Sequence, residues 1–365
     1  MAPMKTDLLF APEQLKRLAC RILTAAGSSD KEAEIVAAHL IRANLTGHDS
    51  HGIGMLPTYL RSIANGLLIP NTPLKLISDT GAILICDGER GYGQRVAREM
   101  MDMAIARCRD TGLVLTALRN AHHIGRVGSY GEQAMAAGLI SLHFVNVTDH
   151  TPVVAVHNGA DGRLLTNPVC FAMPGTAKHP NLLLDMATSK IALGKARVAM
   201  NAGKEVADDT LLDSHGSPTN DPRVLFSDPP GALKPLGRHK GFGIAFFCEL
   251  LAGVLSGGGT MQPEHPRHGG VTNNMLTILI DPQRLVNNQW LESEVDAIAD
   301  YLLASPPATD ADDEIMLPGE PERRHAEQRS RDGIPVDHET WRELLAGGTA
   351  LGIPESELNA CQTTP

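Results

Sequence analysis

Four short polar segments interrupt apolar sequence, and they contain the residue types that acid–base chemistry needs. Two of them carry two histidines each, GHDSHGIG at 47–54 and NAHHIGRVG at 120–128. The third, LLLDMATSK at 182–190, ends an apolar run on Asp185, and the fourth, GRHKGFG at 237–243, places a basic pair before a helical pattern. Histidine transfers protons near neutral pH, and a buried carboxylate needs a hydrogen-bonding or charged partner. The sequence therefore predicts that a histidine lies beside Asp185.

The spacing of these residues argues against several other chemistries. The chain lacks the HExxH motif of zinc proteases and the GxSxG motif of serine hydrolases. His122 and His123 are adjacent, so on a strand their side chains point to opposite faces and do not chelate one ion. GIGMLP, GYGQRV and GFGIAF each have the first two glycines of the GxGxxG dinucleotide fingerprint and lack the third. We therefore expect no metal site, and a dinucleotide only if it binds through a fold other than the Rossmann fold.

The composition is that of an acidic globular protein with two or three domains or lobes. Its 365 residues carry a formal net charge of −10, and 42% of them are hydrophobic. An acidic balance argues against nucleic acid as the main partner, although a local pocket can still bind a small anion. The N-terminal MAPMKTDLLFAPEQL lacks the apolar core of a signal peptide, and no apolar run reaches the ~18 residues of a membrane span. None of the six cysteines forms a CxxC pair, so we expect reduced thiols in a cytoplasmic protein.

Helices at both chain ends and a strand-rich middle must position the polar segments. Apolar residues at helical spacing, with stop signals, predict helices at 12–26, 29–46, 93–112, 188–203 and 241–256, and again after Pro318. Short apolar runs predict strands at 113–120, 139–147, 182–186 and 275–281, and none before residue 70. Between the first two of these strands, 121–130 is expected to be a loop that enters a helix. The fold class is therefore a mixed α/β (α+β) fold, with one helical lobe built from both chain ends.

Six segments resemble, in their order and wording, those of one enzyme family. They are GHDSHGIGMLPTYLRSIANG, HHIGRVGSYGEQAMAAGLISLHFVN, TNPVCFAMP, LLLDMATSKIALGK, HKGFGIAFFCELLAGVLSGG and LPGEPE. Together they resemble the malate/L-lactate dehydrogenase family, which is distinct from the Rossmann lactate dehydrogenases, over residues 10–360. The combination of HDSHGIGM with HHIGR is most similar to its hydroxycarboxylate dehydrogenase branch, which reduces 2-oxo acids.

The resemblance implies a cofactor, an assembly and a division into domains. The cofactor is NAD or NADP, bound by a non-Rossmann domain with a largely antiparallel sheet, which would account for the missing fingerprint. The assembly is a homodimer with active sites near the subunit interface. The implied parts are a helical lobe (1–78 and 321–365), a substrate and interface domain (79–123 and 285–320) and an NAD(P)-binding domain (124–284). The reaction is hydride transfer between NAD(P)H and a small 2-oxo acid, or its reversal from a 2-hydroxy acid.

The resemblance also assigns roles to individual residues. Ser50, His51 and Asp185 match a catalytic proton relay, and His123 matches a histidine assigned as acid or base. Either His51 or His123 would then protonate the carbonyl oxygen. The positions that match cofactor contacts are His51, Gly125, Arg126, Val127, Leu183, Leu184, Asp185, Met186, Ala187, His239, Lys240, Pro318, Gly319 and Glu320.

Substrate recognition departs from the family pattern. A substrate carboxylate needs a cation, ideally the two-pronged guanidinium of arginine. Many members have an arginine four residues after the relay histidine, where this chain has Met55, whereas Arg126 stands where alanine is common. We therefore expect Arg126 to bind the substrate carboxylate or a cofactor phosphate. Thr166 and Asn167 of the TNPVCFAMP segment are expected to complete the substrate site.

Simpler structural roles remain open for the same residues. His123 is alternatively a core histidine satisfied by backbone groups, and Ser50 a cap of the following turn. Asp185 is alternatively a helix cap, and Arg126 one half of a surface ion pair. His122 is expected to support the site rather than to react.

Two alternative functions also remain open. One is a cyclic imine reductase on the same scaffold, and the other a non-catalytic nucleotide-binding protein; a zinc-dependent hydrolase is more distant.

Overall fold

The structure is a computed structural model that describes residues 8–201, 203–308 and 314–359. Its helices are α1 (Pro12–Ala25), α2 (Asp30–Leu45), α3 (Leu56–Ala64), α4 (Gly93–Thr111), α5 (Gly128–Ala136), α6 (Leu193–Asn201), α7 (His239–Cys248), α8 (Asn288–Leu303), α9 (Glu320–Asp332), α10 (His338–Ala350) and α11 (Glu355–Asn359). Its strands are β1 (Leu8–Phe10), β2 (Lys75–Asp79), β3 (Ile83–Asp87), β4 (Leu113–His122), β5 (Ile140–Thr148), β6 (Val154–Ala155), β7 (Gly162–Leu164), β8 (Val169–Met173), β9 (Leu182–Met186), β10 (Leu211–Leu212), β11 (Pro218–Thr219), β12 (Ala232–Leu233), β13 (Thr272–Ile280) and β14 (Ile334–Val336).

The central sheet of the described chain has seven strands in the order β2-β3-β4-β13-β5-β8-β9. β3 and β4 run parallel, while the other neighbours in this sheet are antiparallel. The predicted mixed fold with a largely antiparallel sheet is therefore confirmed. β4 pairs directly with β13, so one sheet spans the predicted boundary between 79–123 and 124–284. The division into those two domains stays a prediction.

Helices α4 and α5 cover one face of this sheet and close its apolar core. Buried side chains of α4, among them Val96 and Met100, pack with Tyr130 of α5 and with Leu118 and Met275 of the sheet. The spacing of four between Val96 and Met100 places both on one side of the helix, as an amphipathic helix requires. The strands at 113–120, 139–147, 182–186 and 275–281 are confirmed in this core, with ends that differ by up to three residues.

The helical lobe is built from both ends of the chain, as predicted. Leu18 and Ile22 of α1 share a buried cluster with Leu40 of α2 and with Trp341 and Leu344 of α10. Strand β1 pairs antiparallel with β14, which ties the two ends together through backbone hydrogen bonds. The expectation of no strand before residue 70 was therefore wrong, because a three-residue strand is too short to show alternation. Residues 1–7 and 360–365 of the predicted lobe lie outside the described residues.

A smaller five-stranded sheet, in the order β11-β10-β12-β6-β7, lies within the described part of the middle region. It shares a buried cluster with Ala196 of α6 and Ala245 of α7. The predicted helix at 188–203 begins only at Leu193, because 187–192 forms bends and an isolated bridge from Ser189 to Pro235. The predicted helix at 241–256 begins earlier, at His239, and continues beyond Cys248 as a π-helical segment, Glu249–Val254.

One close approach fixes how α4 meets the end of β4. A Cβ atom on Gly93, the first residue of α4, would lie 2.1 Å from the carbonyl oxygen of His122 and 2.6 Å from that of His123. Backbone atoms cannot yield to such overlap without moving the strand, so a side chain at Gly93 would push the helix away. The absence of a side chain at this position thus places both histidines directly against the start of α4.

None of the helices within the described ranges is both long and apolar enough to cross a lipid bilayer. Cys20, Cys86, Cys108, Cys170 and Cys248 are free thiols, and the sixth cysteine, Cys361, lies outside the described residues.

Candidate active site

His51 lies in a tightly braced connection between α2 and α3. The chain passes through two short 3-10 turns, Asp49–His51 and Ile53–Met55. The Asn44 side chain braces both turns: its Nδ2 donates to Asp49 Oδ1 at 2.7 Å, and its Oδ1 accepts from the Ile53 N–H at 2.7 Å. A Cβ atom on Gly52 would lie 2.2 Å from Asn44 Oδ1, so Gly52 leaves the space that the asparagine fills.

A continuous chain of hydrogen bonds leads from α4 to His51. Gln94 Nε2 donates to the Tyr59 hydroxyl at 2.6 Å, and that hydroxyl lies 2.7 Å from His123 Nδ1. His123 Nε2 in turn lies 3.1 Å from His51 Nδ1. Since the Tyr59 oxygen already accepts from Gln94, its own proton is available to His123 Nδ1. His123 then carries its proton on Nε2 and donates it to His51 Nδ1.

This order of donors fixes where His51 carries its proton. With Nδ1 accepting from His123, a neutral His51 has its proton on Nε2. That Nε2 has no hydrogen-bond partner within the described part of the chain, and His51 lines a cavity. Burial raises the pKa of Tyr59, which keeps its hydroxyl protonated as the donor. The chain therefore ends in one N–H group that is free to donate to a bound molecule.

Both histidines are neutral in the unliganded protein at neutral pH. Burial lowers the pKa of His51 from 6.5 to about 4, and the nearby charges of His48 and Arg126 act in the same direction. Burial, together with His51 and other histidines nearby, lowers the pKa of His123 well below its usual value. Desolvation penalises the charged imidazolium, so neutral rings are the forms that the hydrogen-bond chain accommodates.

The cavity next to His51 has a volume of about 230 Å³ and mostly apolar walls. Arg197 is the one permanently charged side chain among the described residues that line it, and the polar ones are Ser50, His51, Thr58, His123, His150, Thr166 and Asn273. The apolar lining side chains are Met55, Ile124, Val127, Val145, Val147, Val153, Leu165, Pro168, Ala192, Leu193 and Val271. Apolar walls with a few convergent polar groups are typical of sites for small molecules.

Arg126 lies elsewhere, in a buried cluster of charges. Its side chain is fully buried, and its NH1 donates to Glu132 at 2.9 Å, while its Nε lies 3.8 Å from Asp185. Glu132 also pairs with Arg42 at 2.8 Å. Burial alone would raise the pKa of Glu132, but the two arginines outweigh it and the pKa is lowered. Arg126 is not among the residues that line the cavity beside His51.

Asp185 belongs to the same cluster as Arg126. Its carboxylate accepts from the Gly128 N–H at 2.6 Å. Burial raises its pKa, against the opposing effects of Arg126, His48 and this N–H group. Among the described contacts it has no hydrogen bond to Ser50 or His51. The structure therefore brings together His51, His123 and Ser50 at the cavity, and places Asp185 with the charged cluster.

Thr166 and Asn167 point into different surroundings although they are neighbours. Thr166 lines the cavity, whereas Asn167 Nδ2 donates to Glu249 at 2.7 Å. Burial raises the pKa of Glu249, and Asn167, Met261 and Asn146 oppose this rise by donating hydrogen bonds to its carboxylate. The Asn167 Oδ1 atom is buried without a hydrogen-bond partner among the described residues.

The segments predicted to contact a cofactor lie close to one another. Asp185 is joined to Gly128 as described, and the Leu183 N–H donates to the Pro318 carbonyl at 3.2 Å. The Leu236 N–H donates to the Thr188 carbonyl, and the Thr188 N–H donates to the carbonyl of Thr166, which lines the cavity. These backbone hydrogen bonds connect the segment before α7 to the cavity wall.

The start of α7 has the donor set that a phosphate group needs. Arg238, His239 and Lys240 are exposed there, and neither Arg238 nor Lys240 has an ion pair among the described residues. The backbone N–H groups of residues 240–242 already donate to the carbonyls of residues 236–238, so the donors that remain for an anion are mainly side chains. The exposed Arg238 and Lys240 are of the type that binds phosphate groups.

Sequence reasoning missed Tyr59, Gln94 and Arg197, which lie in helical patterns and carry no motif of their own. Tyr59 and Gln94 have almost no exposed surface, and a polar group on the buried face of a helix is the signal that could have identified them. No group of three or more His, Cys, Asp or Glu side chains within the described residues is placed to hold a metal ion.

Comparison with known proteins finds similarity over almost the whole chain. The profile of the malate/L-lactate dehydrogenase family matches residues 10–345. Hydroxycarboxylate dehydrogenase B of Escherichia coli (strain K12) is 41% identical over 362 residues, 98% of this chain and 99% of that protein. L-lactate dehydrogenase of Cupriavidus necator is 40% identical over 96% of this chain and 99% of that protein. The solved sulfolactate dehydrogenase from Methanocaldococcus jannaschii gives a TM-score of 0.82 at 30% identity, over 96% of this chain and 99% of the other.

The hydrogen-bond chain predicts that Tyr59 selects the tautomer of His123. In the unaltered protein, nitrogen NMR of histidine-labelled material should show His123 with its proton on Nε2 and a bare Nδ1. Tyr59→Phe removes the donor to Nδ1, so His123 should become a mixture of both tautomers. Tyr92→Phe is the matched control, since its ring lies 5.7 Å from that of Tyr59 and its hydroxyl is outside the chain. A proton found on Nδ1 of His123 in the unaltered protein would contradict the assignment.

Proposed function

The chain belongs to the malate/L-lactate dehydrogenase family, and on this premise we propose that it is an NAD(P)-dependent 2-hydroxy acid dehydrogenase. The reaction is hydride transfer between NAD(P)H and a 2-oxo acid, or its reversal from the 2-hydroxy acid. The observation that carries the proposal is the free N–H of His51, at the end of a buried hydrogen-bond chain, beside a largely apolar cavity. A carbonyl that accepts a hydride needs a proton donor at its oxygen, and His51 is suited to this task.

His51 rather than His123 donates the proton in this proposal. Both ring nitrogens of His123 are occupied, one by Tyr59 and one by His51, whereas His51 Nε2 is free. When bound, the reduced nicotinamide supplies the hydride that the carbonyl carbon accepts. The doubly protonated form of His51 gives its Nε2 proton to the oxygen and becomes a neutral ring with its proton on Nδ1, donated to His123 Nε2, while His123 donates from Nδ1 to the Tyr59 oxygen. In the oxidative direction this same tautomer has a bare Nε2, which accepts the proton of the hydroxyl group.

The charge of the substrate makes His51 a stronger base in the complex than in the free protein. The carboxylate of a bound 2-oxo acid lies near the imidazole and favours its protonated form. The free protein, in which the pKa of His51 is about 4, therefore holds a neutral ring, and binding shifts the ring toward protonation. Ser50 and Thr166, which also line the cavity, are positioned to donate hydrogen bonds to the substrate.

Cofactor binding is proposed to extend from the cavity to the start of α7. The apolar side chains beside His123 suit the faces of a nicotinamide ring. His239 and Lys240 would bind the phosphates. The backbone at 125–127, 183–187 and 318–320 would line the path between them, as the family resemblance implies.

The buried cluster is assigned a supporting role. The guanidinium of Arg126 is enclosed by Glu132 and Asp185, and Asp185 accepts from the Gly128 N–H. We propose that this cluster fixes the loop 124–128, which carries part of the cavity wall. The contact of Arg126 with substrate and the relay through Asp185 stay predictions, and neither is supported by these contacts.

The alternatives are less well supported. The relatives that are 40% identical or more over almost their full length are named for a hydroxycarboxylate and for L-lactate, which does not favour a cyclic imine reductase. A non-catalytic nucleotide-binding protein has no use for a histidine whose proton position is fixed by Gln94, Tyr59 and His123.

The direct test of the function is an assay of a panel of 2-oxo acids with NADH and with NADPH. Turnover is measured as the loss of the reduced cofactor's absorbance. We expect turnover of at least one 2-oxo acid and weaker turnover of a cyclic imino acid. His51→Asn should lower kcat by about 100-fold or more, because the proton donor is lost. His215→Asn, on an exposed turn, is the control and should match the unaltered protein. Cofactor binding without turnover of any oxo acid would refute the proposal.

The lowered pKa of His51 predicts an unusual pH profile in the oxidative direction. There the neutral ring is the active base, so activity is lost as the pH falls through its pKa in the free enzyme. We expect kcat/KM for the 2-hydroxy acid to stay level from neutral pH to about pH 5, because the pKa is about 4 rather than 6.5. Circular dichroism over the same range controls for unfolding. A midpoint near 6.5 in folded protein would show that His51 is not the base or is not desolvated.

We also propose that the chain forms a homodimer through α7 and the π-helical segment. Phe246, Phe247, Val254 and Leu255 are 49%, 59%, 54% and 60% exposed, and together form an apolar face on one continuous helical stretch. Contiguous exposed apolar side chains of this size mark interaction surfaces. Light scattering should give twice the chain mass, and Phe247→Glu should lower it toward the single-chain mass. Leu285→Glu, at an apolar residue exposed elsewhere, should leave the mass unchanged, and a monomeric unaltered protein would refute the dimer.

A further inference from the structure

We propose that Arg197 on α6 is the cation that binds the carboxylate of the substrate. The inference rests on the proposed function and adds the means by which the acid group is recognised. The ligand class is a small acid in which the carboxylate is directly attached to the carbonyl carbon. Arg197 would bind the carboxylate while His51 Nε2 faces the carbonyl oxygen.

The first argument is the charge balance of the cavity. A carboxylate that leaves water for an apolar cavity needs an opposite charge. Arg197 is the one side chain with a permanent charge among the described residues that line it, and no lysine, aspartate or glutamate joins it there. Met55 lies on the same cavity and contributes no charge. Arg197 thus supplies a charge that the wall around Met55 lacks.

The second argument is the position of α6 relative to His51. A Cβ atom on Gly194 would lie 2.6 Å from Cβ of Ser50 and 3.2 Å from its Cα, so the first turn of α6 touches the residue before His51. Residues three apart lie on the same face of a helix. Arg197 therefore extends from the helix face that contacts Ser50, one turn farther along, toward the cavity that Ser50 and His51 also line.

The third argument is that the guanidinium is available. Within the described ranges Arg197 has neither an ion pair nor a hydrogen bond from its side chain, and its Cζ lies 5.9 Å from the centre of the Phe226 ring. Stacking on an aromatic ring restricts a guanidinium without using its N–H donors. Arg126 also has two guanidinium nitrogens without a hydrogen-bond partner, Nε and NH2, but they are buried beside the carboxylates of Glu132 and Asp185. Of these two arginines, Arg197 is the one that lines the cavity beside His51.

Binding at two points would also orient the substrate. Two N–H groups of a guanidinium match the two oxygens of a carboxylate, which fixes the plane of that group. Because the carbonyl is attached to the carboxylate, its oxygen is then held on the side of His51. The apolar side chains Leu193 and Val153 remain for the rest of the substrate.

The test compares a charged and an uncharged substrate on matched variants of the full-length protein. The substrates are the best 2-oxo acid of the panel and the corresponding 2-oxo amide, which keeps the carbonyl and lacks the negative charge. The variants are Arg197→Gln, Arg197→Lys and Lys195→Gln, the last being a loss of one exposed positive charge on the same helix. The readouts are kcat/KM for each substrate and the KM of the cofactor, with thermal melting to check the fold.

We expect Arg197→Gln to lower kcat/KM for the acid by about 10- to 100-fold and to leave the amide nearly unchanged. Arg197→Lys should give an intermediate value, since a lysine keeps the charge and loses the fork. Lys195→Gln should resemble the unaltered protein for both substrates.

Three results would contradict the role of Arg197 or the proposed function, and they can be told apart. Equal kcat/KM for the acid in the unaltered protein and in Arg197→Gln would overturn the inference and leave the proposed function standing. A rise in cofactor KM with equal losses for acid and amide would also overturn it, because Arg197 would then bind the cofactor. Absence of turnover in the unaltered protein would overturn the proposed function, and the inference with it.

Discussion

The contact between His123 Nε2 and His51 Nδ1 joins the two main bodies of this fold. His51 belongs to the braced turns that follow α2 in the helical lobe, and His123 follows β4 of the central sheet. Each body has its own apolar core, one built from both chain ends and one between the sheet and its covering helices. The 3.1 Å separation of these nitrogens therefore depends on how the two cores pack. A shift of a fraction of an ångström between them would break the path by which one ring orients the other.

Burial of this contact costs free energy of folding, and hydrogen bonds from the surrounding groups offset most of that free energy. A buried imidazole without partners loses the hydrogen bonds that water would provide, at roughly 1–3 kcal/mol for each unsatisfied group. Tyr59, which accepts from Gln94, pairs with His123 Nδ1, and His51 pairs with His123 Nε2, so both nitrogens of His123 are paired. His122 has no such partners: both of its ring nitrogens are buried and unpaired among the described residues. Its neutral ring packs edge-on against Tyr59, which is consistent with support of the site rather than reaction.

The sequence indicated the two histidines but not the geometry between them. Helical spacing and apolar runs predicted most of the helices and strands, because each of these patterns is contained within about ten to twenty consecutive residues. β1 has no local signal, since its partner β14 lies about three hundred residues along the chain. A histidine beside Asp185 was expected because a buried carboxylate needs a partner, and the relay through Asp185 was implied by the family resemblance. The partners that the structure gives it are the Gly128 N–H and Arg126. Sequence alone ranks such candidates by residue type, whereas burial and distance decide between them.

The two arginines show why residue type was insufficient. Arg126 stands next to the predicted catalytic histidine in sequence, yet its side chain turns away into a cluster with Glu132 and Asp185. Arg197 is distant in sequence, and Gly194 brings it to the cavity by letting α6 touch Ser50. Gly93 does the same for α4 and the strand end at His123. In both places a helix approaches the site at a distance that no side chain would allow. The positions of the proton donor and of the proposed carboxylate anchor thus depend on glycines that have no chemistry of their own.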